Sequence, residues 1–214
     1  MTRCARAAKR AMDVVVSAPV LVVLAVPFLA IGLAIKLEDG GPIFFRQQRV
    51  GLNARPFKVF KFRTMVVGAR SMGLGVTVAV DDERITRVGR VLRNAGLDEL
   101  PQLINVLRGE MSLVGPRPTL AYQVARYDET QRCRLLMKPG ITSLAVVSGR
   151  NALTWAERIV LDVQYVEHWS LRLDLRILLR TLWCVLVTKE GLYGEGGVND
   201  TFGGAPEGSD DDVA

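Results

Sequence analysis

Residues 14–35 read VVVSAPVLVVLAVPFLAIGLAI, 22 positions without a charge. As one straight helix the run is long enough to cross a bilayer, which takes roughly 20 apolar residues. Its flanks argue against a crossing. Arg3, Arg6, Lys9 and Arg10 precede it, and Lys36, Arg46, Arg49, Arg55, Lys58, Lys61 and Arg63 follow it, so positive charge holds both ends at the cytoplasmic face. A helix broken at Pro27, and bent at Pro19, satisfies both flanks by entering and leaving on one side. The expectation is a re-entrant hairpin; a single-pass anchor whose prolines only kink it is the alternative. A cleaved secretory signal fits less well, because the run exceeds a signal's apolar region and no small-residue cleavage site precedes Lys36.

The rest of the chain is segregated in the same way. It is 49% apolar yet 23% charged. Residues 189–214 hold one base and seven acids, so 27 of the 28 bases and 15 of the 22 acids lie before them, a net +12. Such a body meets an anionic surface: nucleic acid, lipid or a phosphorylated substrate. Three segments are expected: a basic N-terminus with the membrane helix (1–36), a cytoplasmic domain (37–188) and a Gly-rich acidic disordered tail (189–214). Cys4, Cys133 and Cys184 have no metal-type spacing and suit a reducing compartment. His168 is the chain's one histidine, which disfavours imidazole-based metal or triad chemistry.

Beyond the apolar run, the spacing predicts an α+β domain. Ile43–Phe45 and Phe57–Met65 read as short strands joined by a turn at Gly51-Leu52-Asn53. Val76–Val80 is β-branched, and Asp81-Asp82-Glu83 is placed to cap a helix striped by Arg84, Arg87, Arg90 and Arg93. Leu120–Arg132 reads as a polar helix and Ile141–Val147 as a strand. Thr154 and Glu157 form a capping box for a helix over 155–169. In LRLDLRILLRTLWCVLV (171–187), Arg172, Arg176 and Arg180 recur among leucines. That pattern fits a helix in the membrane interface, or one packed on the core with an arginine edge.

The chemistry is concentrated in LDELPQLINVLRGEMSLVGPRP (97–118). Leu97, Leu100, Leu103, Ile104 and Leu107 recur at helical spacing, and Pro101 fits only a first turn. Asp98 and Glu99 therefore sit at or before a helix N-terminus. Two readings stand: an N-cap with a dipole-favoured neighbour, or a paired-carboxylate site. With the arginine stripe leading toward them, two acids at a helix start suit a metal-bridged phosphate ester.

The blocks KR..D, FFRQQRVG, FKVFKFRTM, DDERITRVGRVLR, LDELPQLINVLRGEMSLVGPRP, KPGIT and SGRNALTW occur in this order between Lys9 and Trp155. With them the chain resembles the bacterial sugar transferases, the monotopic phosphoglycosyl transferases, over residues 9–191. The resemblance implies transfer of a sugar phosphate from a nucleotide sugar, usually a UDP-sugar, to polyprenyl (undecaprenyl) phosphate, with release of UMP. It implies Mg²⁺, Asp98 as the nucleophile that becomes a phosphosugar ester, and Glu99 positioning the metal. Lys61, Arg93 and Arg150 would bind phosphate and Arg117 the nucleotide. A monotopic enzyme on the cytoplasmic face of the inner membrane, feeding downstream glycosyltransferases of exopolysaccharide, O-antigen or glycoprotein assembly, is the corresponding expectation. Two departures stand out. Many relatives break the membrane helix with Ser-Pro where this chain has Ala25-Val26-Pro27, and many read PGITG.AQV.GR where it has PGITSLAVVSGR, with Ser143 for Gly and Val146 for Gln.

Two rival classes are weighed against this. One is a membrane-tethered basic module gripping anionic lipid or nucleic acid; acids amid the basic surface repel a polyanion unless a metal intervenes, so no nucleic-acid partner is expected. The other is an inactive scaffold with the same fold, against which the intact Asp98-Glu99 pair argues.

Overall fold

The computed structural model describes residues 2–72, 82–149 and 152–185. The expected Val76–Val80 strand, Asp81, Arg150 and the acidic tail lie outside them. The architecture is α+β, as expected, built around one long apolar helix.

That helix, α1 (Arg3–Asp39), is capped by Thr2, whose side chain accepts from the Ala5 N–H, and ends on Gly40 in the left-handed conformation at φ 73°. It runs through Pro19 and Pro27 without interruption, so the break expected at Pro27 is absent. Contacts on both sides of Pro27 explain why. Leu24 packs on the main core, while Phe28 and Ile31 pack on a second cluster around Ile35, Phe62 and Leu92. Holding both sets of contacts keeps the chain helical despite proline's missing N–H.

One face of α1 is bound along its length. Lys9, Asp13, Ser17, Gly32 and Ile35 are buried, and Gly32 leaves the space that the Ile43 side chain fills, 3.3 Å from where a Cβ would sit. The opposite face, Val15, Val22, Val23, Val26, Leu29, Leu33 and Leu37, is 60–77% exposed. Both ends are tied to the same domain. At the start, Lys9 Nζ donates to the Val114 carbonyl, Tyr165 Oη and Asp174 Oδ2 at 2.9, 3.1 and 2.6 Å. At the finish, Asp39 pairs with Arg63, and Glu38 accepts the Arg87 N–H at 2.7 Å.

Strands β1 (Phe44–Val50) and β2 (Pro56–Phe62) form the expected antiparallel hairpin, with Phe45 opposite Lys61 and Gln47 opposite Val59. Helix α2 (Arg87–Ala95) starts later than expected. Its N-cap is Thr86, whose hydroxyl accepts the Gly89 N–H at 2.9 Å. Asp82 instead holds Arg84, through the Arg84 Nε at 2.8 Å and a second guanidinium nitrogen at 2.6 Å, so Arg84 is buried and drops out of the basic stripe.

Helix α3 (Gln102–Arg108) follows Pro101 and ends on Gly109. Strand β3 (Ser112–Val114) pairs in parallel with β4 (Gly140–Thr142). Between them the expected helix over 120–132 is two short pieces, α4 (Ala121–Val124) and α5 (Glu129–Arg132), because Asp128 caps the second by accepting the Gln131 N–H at 2.8 Å. A 3-10 turn over Cys133–Leu136 leads toward β4. The strand expected over 141–147 stops at Thr142. Ser143 there caps α6 (Leu144–Ser148), its hydroxyl accepting the Val146 N–H at 3.1 Å. Helix α7 (Trp155–Glu167) carries the expected Thr154–Glu157 box. In α8 (Leu171–Trp183) Asp174 and Ile177 face the core, while Leu175, Leu179, Leu182 and Trp183 are 54–59% exposed beside Arg172, Arg176 and Arg180. The helix is thus packed on the core through one face, with leucines and an arginine edge exposed on the other.

Candidate active site

The site forms where β2, α2 and the turn before α3 meet. Asn105, fully buried in α3, sets the spacing. Its Oδ1 accepts the Phe60 N–H at 3.0 Å, and its Nδ2 donates to the Lys58 carbonyl and to Glu110 at 2.8 and 2.7 Å. One side chain thus joins α3 to β2 three residues before Arg63. The same strand is bound again one residue past Lys61, where the Phe62 N–H donates to the Asp98 carbonyl at 2.9 Å.

This register brings the expected residues together. Lys61 Nζ donates to Glu99 Oε1 at 2.6 Å, and an Arg117 guanidinium nitrogen approaches the same oxygen at 3.4 Å. Asp98 is half-buried. Burial pushes its carboxyl up from the ordinary 3.8, the neighbouring Glu99 charge adds to that, and Lys61 and Arg93 oppose both. Arg93, in the last turns of α2, donates from Nε to Thr64 Oγ1 at 2.8 Å. Asp98 and Glu99 are not helix caps: the residue at the α3 cap position is Pro101, with no side-chain hydrogen bond to the helix.

Helix α2 reaches this position because residue 89 is glycine. A Cβ there would lie 2.1 Å from the Thr64 carbonyl oxygen, so the helix backbone rests directly on the KFRT segment (61–64). Arg93, four residues on, faces the same segment.

Arg117 is held from behind by residues that sequence reading did not single out. Its N–H donates to Asp162 Oδ2 at 3.3 Å and its carbonyl accepts from Arg134 at 3.0 Å; Arg134 and Asp162 form a buried ion pair. A signal was available in Asp162 and Asp174, each a lone acid on an otherwise apolar helix face, which marks a buried and therefore partnered charge. Asn105, Thr64 and Gly89 carried no comparable signal. Arg150 lies outside the described residues.

Two carboxylates facing two arginines and a lysine can neutralise and grip a diphosphate while presenting an anionic nucleophile. Comparisons with known proteins identify the family. The bacterial sugar transferase family model matches residues 4–188. The chain is 47% identical over 190 residues to the UDP-glucose:undecaprenyl-phosphate glucose-1-phosphate transferase of Caulobacter vibrioides, covering 84% of this chain and 70% of that protein. It is 44% identical over 181 residues to the uncharacterized sugar transferase EpsL of Bacillus subtilis, covering 85% and 88%. With the exopolysaccharide production protein ExoY of Rhizobium meliloti it shares 39% over 196 residues, covering 85% and 87%. On a match of this extent, the chain belongs to the bacterial sugar transferase family.

Proposed function

We propose that this protein transfers a sugar phosphate from a UDP-sugar to undecaprenyl phosphate or a similar polyprenyl phosphate, with Asp98 as nucleophile. The observation that carries the proposal is the Asp98-Glu99 pair ringed by Lys61, Arg93 and Arg117. The names of its relatives support the substrate class. In the first step an Asp98 carboxylate oxygen bonds to the β-phosphorus of the UDP-sugar. The bond from that phosphorus to the bridging oxygen breaks, and UMP leaves with the electron pair. In the second step an oxygen of the polyprenyl phosphate attacks the same phosphorus and the Asp98 carboxylate departs, leaving a polyprenyl diphosphosugar. Splitting the exchange in two spares the enzyme a direct meeting of two polyanions.

Arg93 and Arg117 hold the phosphate oxygens as charge shifts between them, and Lys61 holds Glu99 in its orientation. The donor set fits Mg²⁺: adjacent carboxylates suit an ion that takes its other ligands from phosphate and water. Among the described residues no group of three or more His, Cys, Asp or Glu forms a closed cage, so Glu99 and Asp98 would hold the ion together with the substrate. Bound there, it would supply further neutralisation of the diphosphate.

The exposed apolar face of α1, with both helix ends tied to one domain, supports a monotopic seat in the cytoplasmic leaflet, where the lipid phosphate reaches the site. The leucines and arginines of α8 would lie at the same interface, against lipid head groups. The lipid-linked product is the substrate that downstream glycosyltransferases extend, as in exopolysaccharide assembly. UMP release, measured across a panel of UDP-sugars with polyprenyl phosphate and Mg²⁺, tests the reading. Labelled phosphosugar trapped on Asp98 supports the covalent step, and full turnover by Asp98→Asn would end it.

A further inference from the structure

Arg117 lies between Pro116 and Pro118, outside any helix or strand. Pro118 confines Arg117 to extended backbone but does not fix where its peptide units lie in the domain. Two buried side chains do. Asp162, from the middle of α7, accepts the Arg117 N–H at 3.3 Å, and Arg134, from the 3-10 turn, donates to the Arg117 carbonyl at 3.0 Å. They are 1% and 2% exposed and paired to each other. The Arg134 guanidinium is also fixed over the rings of Tyr127 and Trp155, at 5.5 and 6.0 Å. Two separate segments, α7 and the 3-10 turn, thus converge on one residue of the proposed site.

The pair is not well made for stability. Asp162 Oδ1 is buried without a hydrogen-bond partner, and apolar replacements of similar volume commonly match or outdo a buried ion pair. What the pair does achieve is placement. It seizes Arg117 by both backbone polar groups while the guanidinium at the other end reaches Glu99.

We propose that Arg134 and Asp162 are positioning residues: they clamp the Arg117 backbone so that its guanidinium is presented to the diphosphate of the nucleotide sugar. This rests on the UDP-sugar reading above. Neither residue touches substrate; both act through Arg117.

The test is steady-state kinetics on the full chain in lipid nanodiscs, with melting temperatures. The variants are Asp162→Asn, the double Arg134→Met/Asp162→Leu, Arg117→Ala, and Arg117→Ala combined with Asp162→Asn. The double replacement keeps the volume and removes both charges, so it separates positioning from folding. Asp162→Asn and the apolar double should each raise the UDP-sugar KM about tenfold, the loss expected of one charge-assisted hydrogen bond, with the polyprenyl phosphate KM unmoved. In the Arg117→Ala background, Asp162→Asn should add no further loss, since the clamp has nothing left to present. A folded apolar double with the wild-type UDP-sugar KM would overturn the clamp. So would losses from Asp162→Asn and Arg117→Ala that multiply. A wild-type enzyme releasing no UMP from any UDP-sugar is a different failure, since it removes the transfer reading and the clamp with it.

Discussion

Replacing Gly89 by alanine tests how the fold aims the site. The new methyl would sit 2.1 Å from the Thr64 carbonyl oxygen and 2.6 Å from its carbon, where ordinary contact begins at 3.4 Å. Both obstructing atoms are backbone, so no side chain can swing aside. Helix α2 must retreat by about 1 Å, and a displacement of that size at a catalytic group costs about 100-fold in rate. Arg93 travels with the helix and loses its 2.8 Å bond to Thr64. The overpacking itself costs about 1–3 kcal/mol, or about 2–4 °C of melting temperature for each kcal/mol in a domain of this size. UMP release and thermal unfolding should therefore both fall, with kcat/KM down about 100-fold. Arg90→Ala, on the exposed side of the same helix, should stay within about 0.5 kcal/mol of wild type. Gly89→Ala with wild-type melting and wild-type kcat/KM would refute the packing of α2 on Thr64. A destabilised variant whose folded fraction kept full activity would refute the part assigned to Arg93.

Asp98→Asn should abolish UMP release yet melt at or above the wild-type temperature. Because burial raises the folded carboxyl above its unfolded value, the penalty for ionising it grows as pH climbs through that interval and is fully present above the folded pKa, where the amide avoids it. For the same reason the wild-type rate should fall on acidification at a pH above that of a free aspartate, read from a kcat/KM profile. Asn105→Ala leaves the buried Phe60 N–H and Glu110 short of partners and should cost about 1–3 kcal/mol for the orphaned donor, measured by denaturant unfolding. Lys9→Met strands Asp174 as a buried charge and should cost about 3–5 kcal/mol; Lys9→Met/Asp174→Leu should recover most of it in the same assay.

The legible parts of the sequence were those where a local pattern decides the outcome. The uncharged run gave α1, the alternation around Phe60 and Phe62 gave the hairpin, and Thr154 with Glu157 gave the start of α7. Asp98 and Glu99 could be proposed as an acid pair from the residues themselves, and Lys61, Arg93 and Arg117 only because they fall in blocks that resemble the sugar transferases. Misreadings arose where tertiary contacts override local preference. Pro27 does not break α1, because Leu24 and Phe28 are anchored on either side of it. Arg84 looked like one rung of a basic stripe, but Asp82 takes it into the interior. Ile141–Val147 has the composition of a strand, yet a hydroxyl at position 143 starts a helix in its middle. The Arg134–Asp162 pair joins residues 28 apart in the chain, and no periodicity encodes such a meeting.

The grip of Lys9 and Asp13 on the domain bears on how the protein can be handled. Cutting the chain after Asp39 would take away the cation of Asp174, the carboxylate that bonds Ser112 and Leu113, and the Arg10 guanidinium that covers the last carbonyls of α3. The greasy rod is an interior wall of the catalytic body as much as a mooring. A water-soluble fragment made by trimming it away should be expected to collapse rather than work, so preparations for assay or screening must keep the rod and something oily for its outer side.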